Sequence, residues 1–162
     1  MSTRGVVFVH SSPTAVCPHV EWAMPGVLGS KVSLQWTPQS ASPGQLRAEV
    51  AWKGASGSGG ALAGALRAWP MLRFEVTEEP SHGVDGERFC HAPSLGLWRG
   101  RTSANGDIVV GEDQLRALLL DTPAAQVAGR LQNLLGSAWD EALEPFRLAG
   151  DGAPVTWLHQ VG

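Results

Sequence analysis

The sequence predicts an α+β fold: a ferredoxin-like βαββαβ plait, with an antiparallel sheet and two helices on one face, followed by a β-hairpin, two to three helices and a terminal strand. Three observations predict it. Residues Val6, Val7, Phe8 and Val9 are apolar without interruption, which marks a central strand covered on both faces. Two later stretches, Val32-Leu34-Trp36 and Leu46-Ala48-Val50-Trp52, alternate apolar with mostly polar residues, as half-buried strands do. Leu62, Ala65, Leu66 and Trp69 then recur at the spacing of one helical face, ahead of a fourth alternating stretch, Leu72-Phe74-Val76.

The remaining elements follow from local signals. A hydroxyl-rich turn, Ser11-Ser12-Pro13-Thr14, leads into a helix with Cys17 near its start, Pro18 in its first turn and Gly29 at its close; Pro25 and Gly26 are expected to shorten or kink it. Pro38 to Gly44 turns the chain back, and Pro70 ends the second helix. After Glu79-Pro80, shorter strands are expected at Arg88-His91 and Leu95-Arg101, with Asn105-Gly106 as a two-residue hairpin turn. Gly111-Glu112-Asp113 starts a helix facing inward through Leu115, Leu118 and Leu119, and Thr122 caps another that buries Val127, Leu131, Leu134 and Leu135. Gly136-Ser137 breaks it before Trp139, Leu143 and Phe146, Pro145 ends the helical signal, and Val155 to His159 form a terminal strand. Residues 1–80 are thus expected to form the plait half and residues 81–162 an extension packed on it as one compact unit. The C-terminal elements, or a homodimer contact, should cover the second face of the sheet.

Composition narrows the function. A chain of 162 residues with 43% hydrophobic content has the make-up of a soluble globule, and its longest apolar run, Ala117 to Leu120, is far too short to span a membrane. Met1-Ser2-Thr3-Arg4 runs directly into the first strand, which favours the cytoplasm. Two cysteines make no disulfide framework, and a net charge of −3 without a basic run gives no footprint for nucleic acid. The seven tryptophans are expected in the core.

The candidate site is the rim made by His10, Ser11, Ser12, Thr14 and His19, where a central strand ends and a helix begins. Unpaired amides and the positive end of the helix dipole suit a small anionic or carbonyl-bearing ligand, while the simpler reading has these groups cap the helix. An alternative makes Cys17 a nucleophile with His10 or His19 as its base, the thiol activated by the helix start if exposed. No metal site is expected. Cys17, His19, Cys90 and His91 are acceptable ligands, but adjacent Cys90 and His91 should point to opposite sides of a strand. No cofactor is expected either, since Gly57-Ser58-Gly59-Gly60 lacks the Lys-Ser/Thr pair of a phosphate loop. Asp140, Glu141 and Glu144 read as a solvated helix face. The leading expectation is a non-catalytic binding or accessory protein with an unknown protein partner or small anionic ligand; the alternative is a small enzyme using residues 10–19.

The segments RGVVFVHSSP, AVCPHVEWA, LRFEVTEEPSHGVDGERF, WDEALEPFR and VTWLHQVG resemble, almost from end to end, a family of actinobacterial proteins classed as a domain of unknown function, DUF3145. The resemblance implies an association with type II fatty-acid synthesis. It implies no activity, cofactor or catalytic residue for any position.

Overall fold

A computed structural model describes residues 1–148. Its centre is β1 (Ser2–Pro13), whose run of apolar residues is covered on both faces. The chain continues through a 3-10 turn, Thr14–Val16, into α1 (Cys17–Leu28), then β2 (Thr37–Pro38), β3 (Gln45–Ala55), α2 (Ser58–Leu66) and β4 (Arg73–Glu78). The second half adds β5 (Gly86–Ala92), β6 (Gly96–Thr102), β7 (Ile108–Val109), α3 (Glu112–Asp121), α4 (Val127–Leu135) and α5 (Ser137–Arg147). All strand pairs are antiparallel, in the order β2-β3-β1-β4-β5-β6-β7. The fold is therefore α+β with one seven-stranded antiparallel sheet. A plait closes its sheet at β4, whereas here β4 pairs onward with β5 and the sheet differs from the four-stranded one expected.

Alternation along the strands sorts side chains onto two faces. Val7 and Val9 point to one face with Ala48, Trp52, Phe74, Val76 and Phe89, and α1 and α2 cover it through Val20, Met24, Leu62 and Leu66. Phe8, Glu75, Cys90 and Trp98 form a cross-strand row on the other face, which α5 covers. There Leu143 joins Cys90, Ala92 and Trp98 in a smaller core. The Trp98 indole fits where two glycines leave room: a Cβ at Gly136 would lie 2.7 Å from the ring, and one at Gly100 would overlap it.

Several local expectations fail for identifiable reasons. Val32, Leu34 and Trp36 do not form a strand; the segment packs beneath α1 without regular pairing, Leu34 is buried, and Trp36 Nε1 donates to Glu21 Oε1 at 2.9 Å. One-sided burial gives coil the same alternation as strand. Proline proves a poor stop at two places, since α1 runs past Pro25 to Leu28 and α5 runs past Pro145 to Arg147. Gly29, at φ 72°, does end α1 as expected. The second helix, α2, stops at Leu66, short of Trp69. The β6–β7 turn spans residues 103–107 rather than two residues: Ser103 N–H donates to Asp107 O, and only Gly106 adopts positive φ.

Thr122 does not cap the next helix, and its hydroxyl is buried without a hydrogen-bond partner. The largest departure lies in α3 and α4. Among their apolar residues only Leu118 is buried, α4 has none, and Leu120 is 85% exposed. Trp22, expected in the core, is 71% exposed. The expected strand at 155–159 lies outside the described residues.

Candidate functional site

The end of β1 is irregular because its pairing shifts on both sides between Val9 and Ser12. His10, Ser11 and Ser12 continue the unbroken buried run that begins at Val7, because β1 is covered on both faces. Ser11 Oγ accepts from Arg73 Nη1 at 3.3 Å. Ser12 Oγ donates to the Pro13 carbonyl and accepts from Cys17 Sγ at 3.5 Å. Thr14 and His19 are exposed, and the His19 ring lies against Trp22 and Trp69. The five rim residues therefore do not converge: three turn into the fold and two face solvent.

Cys17 lies inside the fold rather than at an exposed helix start. It is buried at the start of α1, its sulfur also donates to the Pro13 carbonyl at 3.5 Å, and burial pushes its pKa up despite the Ser12 contact. The His10 ring turns instead toward Glu75 and stacks on Phe8. Cys17 is expected to alkylate with iodoacetamide at neutral pH no faster than a model thiol, as peptide mapping of the modified chain by mass spectrometry would show. Faster reaction would revive the enzyme reading.

The group that does converge under α5 is ionic. Glu75 lies at the centre of the sheet, cross-strand from Phe8 and Cys90, and is fully buried. Arg147, in the last turn of α5, donates to its Oε1 through Nε at 2.6 Å and through Nη2. The same guanidinium donates to Asp140 Oδ1 at 3.0 Å and Glu144 Oε2 at 3.1 Å, so two of the three acids expected on a solvated face bind a buried cation instead. His10 Nε2 stands 3.6 Å from Glu75 Oε1, beyond hydrogen-bond reach but close enough for a charge contact when the ring is protonated. Gln39, also buried, ties the two elements together by donating to the His10 carbonyl at 2.6 Å and the Phe146 carbonyl at 3.1 Å. The Arg73 guanidinium lies 4.2 Å from the Phe146 ring centroid.

Electrostatics here follow from burial and pairing. Burial opposes the charge on Glu75, but His10 and Arg147 outweigh it and hold the carboxyl below its ordinary value. Burial likewise opposes the charge on Arg147, and Glu75 and Asp140 overcome it to raise the guanidinium above its ordinary value. Beside them, burial and then the Glu75 charge push the Cys90 thiol well above its ordinary value. The cluster is built to hold α5 on the sheet.

Residues 6–160 match the family model described as "Protein of unknown function (DUF3145)". The chain belongs to this family. No curated protein and no solved structure matches it. Two further features of this DUF3145 chain concern its glycine-rich loop and the Cys90-His91 pair. Its glycine-rich loop already holds an anion, because Glu78 accepts from Gly57 N–H at 3.0 Å and Gly59 N–H at 2.8 Å. A carboxylate from β4 thus takes the place a phosphate would need. Cys90 and His91 do point to opposite faces, His91 Nδ1 lying 2.7 Å from the Leu72 carbonyl, and among the described residues no three His, Cys, Asp or Glu side chains gather as a metal set.

Glu75 and Arg147 are hard to read from the sequence for different reasons. Glu75 sits in the polar phase of its strand, which normally means solvent. Arg147 lies three and seven residues after Glu144 and Asp140, a spacing that places all three on one helix face, and this was the signal available.

Proposed function

We propose that this protein is a non-catalytic cytoplasmic binding or accessory protein that acts through a protein partner, in a setting associated with type II fatty-acid synthesis. The observation that carries the binding role is the apolar surface of α3 and α4, where Leu115, Leu119, Leu120 and Leu135 are all exposed. Apolar residues grouped this way on a soluble chain mark interaction surfaces. Among the described residues no helix is long and apolar enough to cross a membrane. The family resemblance supports the metabolic setting. Residues 2–78, with β1 flanked by β3 and β4, support reading the first half as a ferredoxin-like unit to which the second half adds strands and helices.

The test compares the wild-type chain with Leu119→Glu/Leu120→Glu as baits in native cytoplasm. Both leucines are exposed, so the variant is expected to keep its circular dichroism and urea midpoint while losing a protein that the wild type retains. Sedimentation of the purified chain separates a second copy from a different partner. Identical retention by both baits, with both monomeric, would remove the support for this reading.

A further inference from the structure

We propose that the outer face of α1 and α2 is the interface of a homodimer, in which each copy lays its α1 over the α2 of the other. This goes beyond the partner reading of the α3–α4 arm and does not rest on it.

The two helices turn an uncharged face to solvent. α1 (12 residues) and α2 (9 residues) hold one Asp, Glu, Lys or Arg between them, Glu21, in a chain where such residues make up 17%. On α1, Pro18, Trp22 and Gly26 recur at the spacing of one helical face and are all exposed; on α2 and the turn after it, Ala61, Gly64 and Ala68 do the same. One helix thus carries a bulky ring and the other a shallow bed. A Cβ at Gly64 would meet nothing within 4 Å, so no side chain of the same copy fills that bed. The Trp22 indole is braced in advance: the His19 ring meets it edge-on at 5.3 Å and itself lies 5.8 Å from Trp69. A ring already held in place costs less entropy to bury against a partner.

Charge and level select a second copy. α1 runs back from the end of β1 and α2 from the end of β3, and those strands are antiparallel, so the helices are antiparallel too. The His19–Trp69 contact marks their matching ends, which puts Trp22, three residues on, level with Ala65, four residues before Trp69. Glu21 and Arg67 border the face at this end, on opposite flanks. Glu21 accepts from Trp36 Nε1 on the flank toward β2. Arg67 lies seven residues after Gly60, whose Cβ would stand 3.4 Å from Phe89 of β5. It joins no salt bridge among the described residues. A two-fold axis parallel to the helices keeps every residue at its level and exchanges the flanks. It seats Trp22 of each copy on the Gly64–Ala68 stripe of the other and brings each Glu21 to the opposite Arg67. A ring, a bed for it, an acid and a base stand on one face, which makes that face complementary to itself.

Sedimentation velocity of the full chain between about 1 and 300 μM tests the proposal. The wild type is expected to pass from monomer to dimer as concentration rises. Trp22→Ala and Gly64→Glu should each weaken the dimer at least about tenfold, with unchanged circular dichroism because both positions are exposed. Arg67→Glu should weaken it about fivefold, and Glu21→Arg/Arg67→Glu should recover most of that, which a loss of folding would not do. Leu119→Glu/Leu120→Glu should dimerise as the wild type does, so failure of this interface and failure of the partner reading are told apart. A wild type that is monomeric throughout would leave the face to a different protein and overturn the assignment. So would Trp22→Ala and Gly64→Glu dimerising as tightly as the wild type, or a dimer lost only through the α3 leucines.

Discussion

Arg147→Ala is expected to lower folding stability by about 3–5 kcal/mol, seen as a reduced urea midpoint, because it leaves Glu75 charged and buried with no guanidinium. Glu75→Ala should cost less, because Asp140 and Glu144 still pair with Arg147. Replacing both, as Glu75→Leu/Arg147→Met, should recover most of the loss, since well-packed apolar residues of similar volume avoid the desolvation cost. Arg116→Ala, which breaks only the exposed pair with Glu112, should change stability by less than about 0.5 kcal/mol. The pH dependence has a definite sign. The folded-state pKa of Glu75 is depressed, so its contribution is present above the ordinary carboxylate range and is lost as pH falls through the folded value. An acid titration of the wild type should show that loss, and the double variant should lack it. Equal stability of Arg147→Ala and wild type would contradict the account of α5 given above.

Gly5→Ala should destabilise by about 3 kcal/mol or more, although glycine to alanine usually favours a strand. Gly5 pairs with Trp52 on β3 and Glu78 on β4, and a Cβ there would overlap the Thr77 carbonyl and lie 2.9 Å from the Trp52 ring. Neither neighbour can yield cheaply, one being backbone and the other a buried indole. The contrast is Gly64→Ala in α2, where a Cβ meets nothing within 4 Å and the change should stabilise by about 0.5–1 kcal/mol. Thermal unfolding of the two variants side by side reads the opposite signs directly. Similar shifts in the same direction would show that the close approach of β1 to β4 is not tight.

Signals that were legible in the sequence are those with a purely local cause. The apolar run at Val6–Val9 requires cover on both faces, and β1 has it; Gly29 stops α1 because its backbone is left-handed. Signals failed where one pattern has two physical origins. Leu34 and Trp36 alternate because one side of an irregular segment is buried, and Leu115 and Leu119 fit an inward helical face although they meet solvent. At the site, His10, Ser11 and Ser12 stand out in the sequence for their chemistry, but their burial comes from cover on both faces of β1 and their register from pairing with β3 and β4. Glu75 and Arg147 are 72 residues apart, and nothing local to either announces the other.

That separation also sets an order of events during synthesis. Every strand of the described sheet lies before residue 110, whereas the guanidinium that neutralises Glu75 arrives at residue 147. Until then the carboxylate must keep its water, because a lone charge cannot be dried in the middle of a sheet. The face carrying α1 and α2 can therefore close while the chain is still being made, and the opposite face stays hydrated until the last described helix emerges from the ribosome.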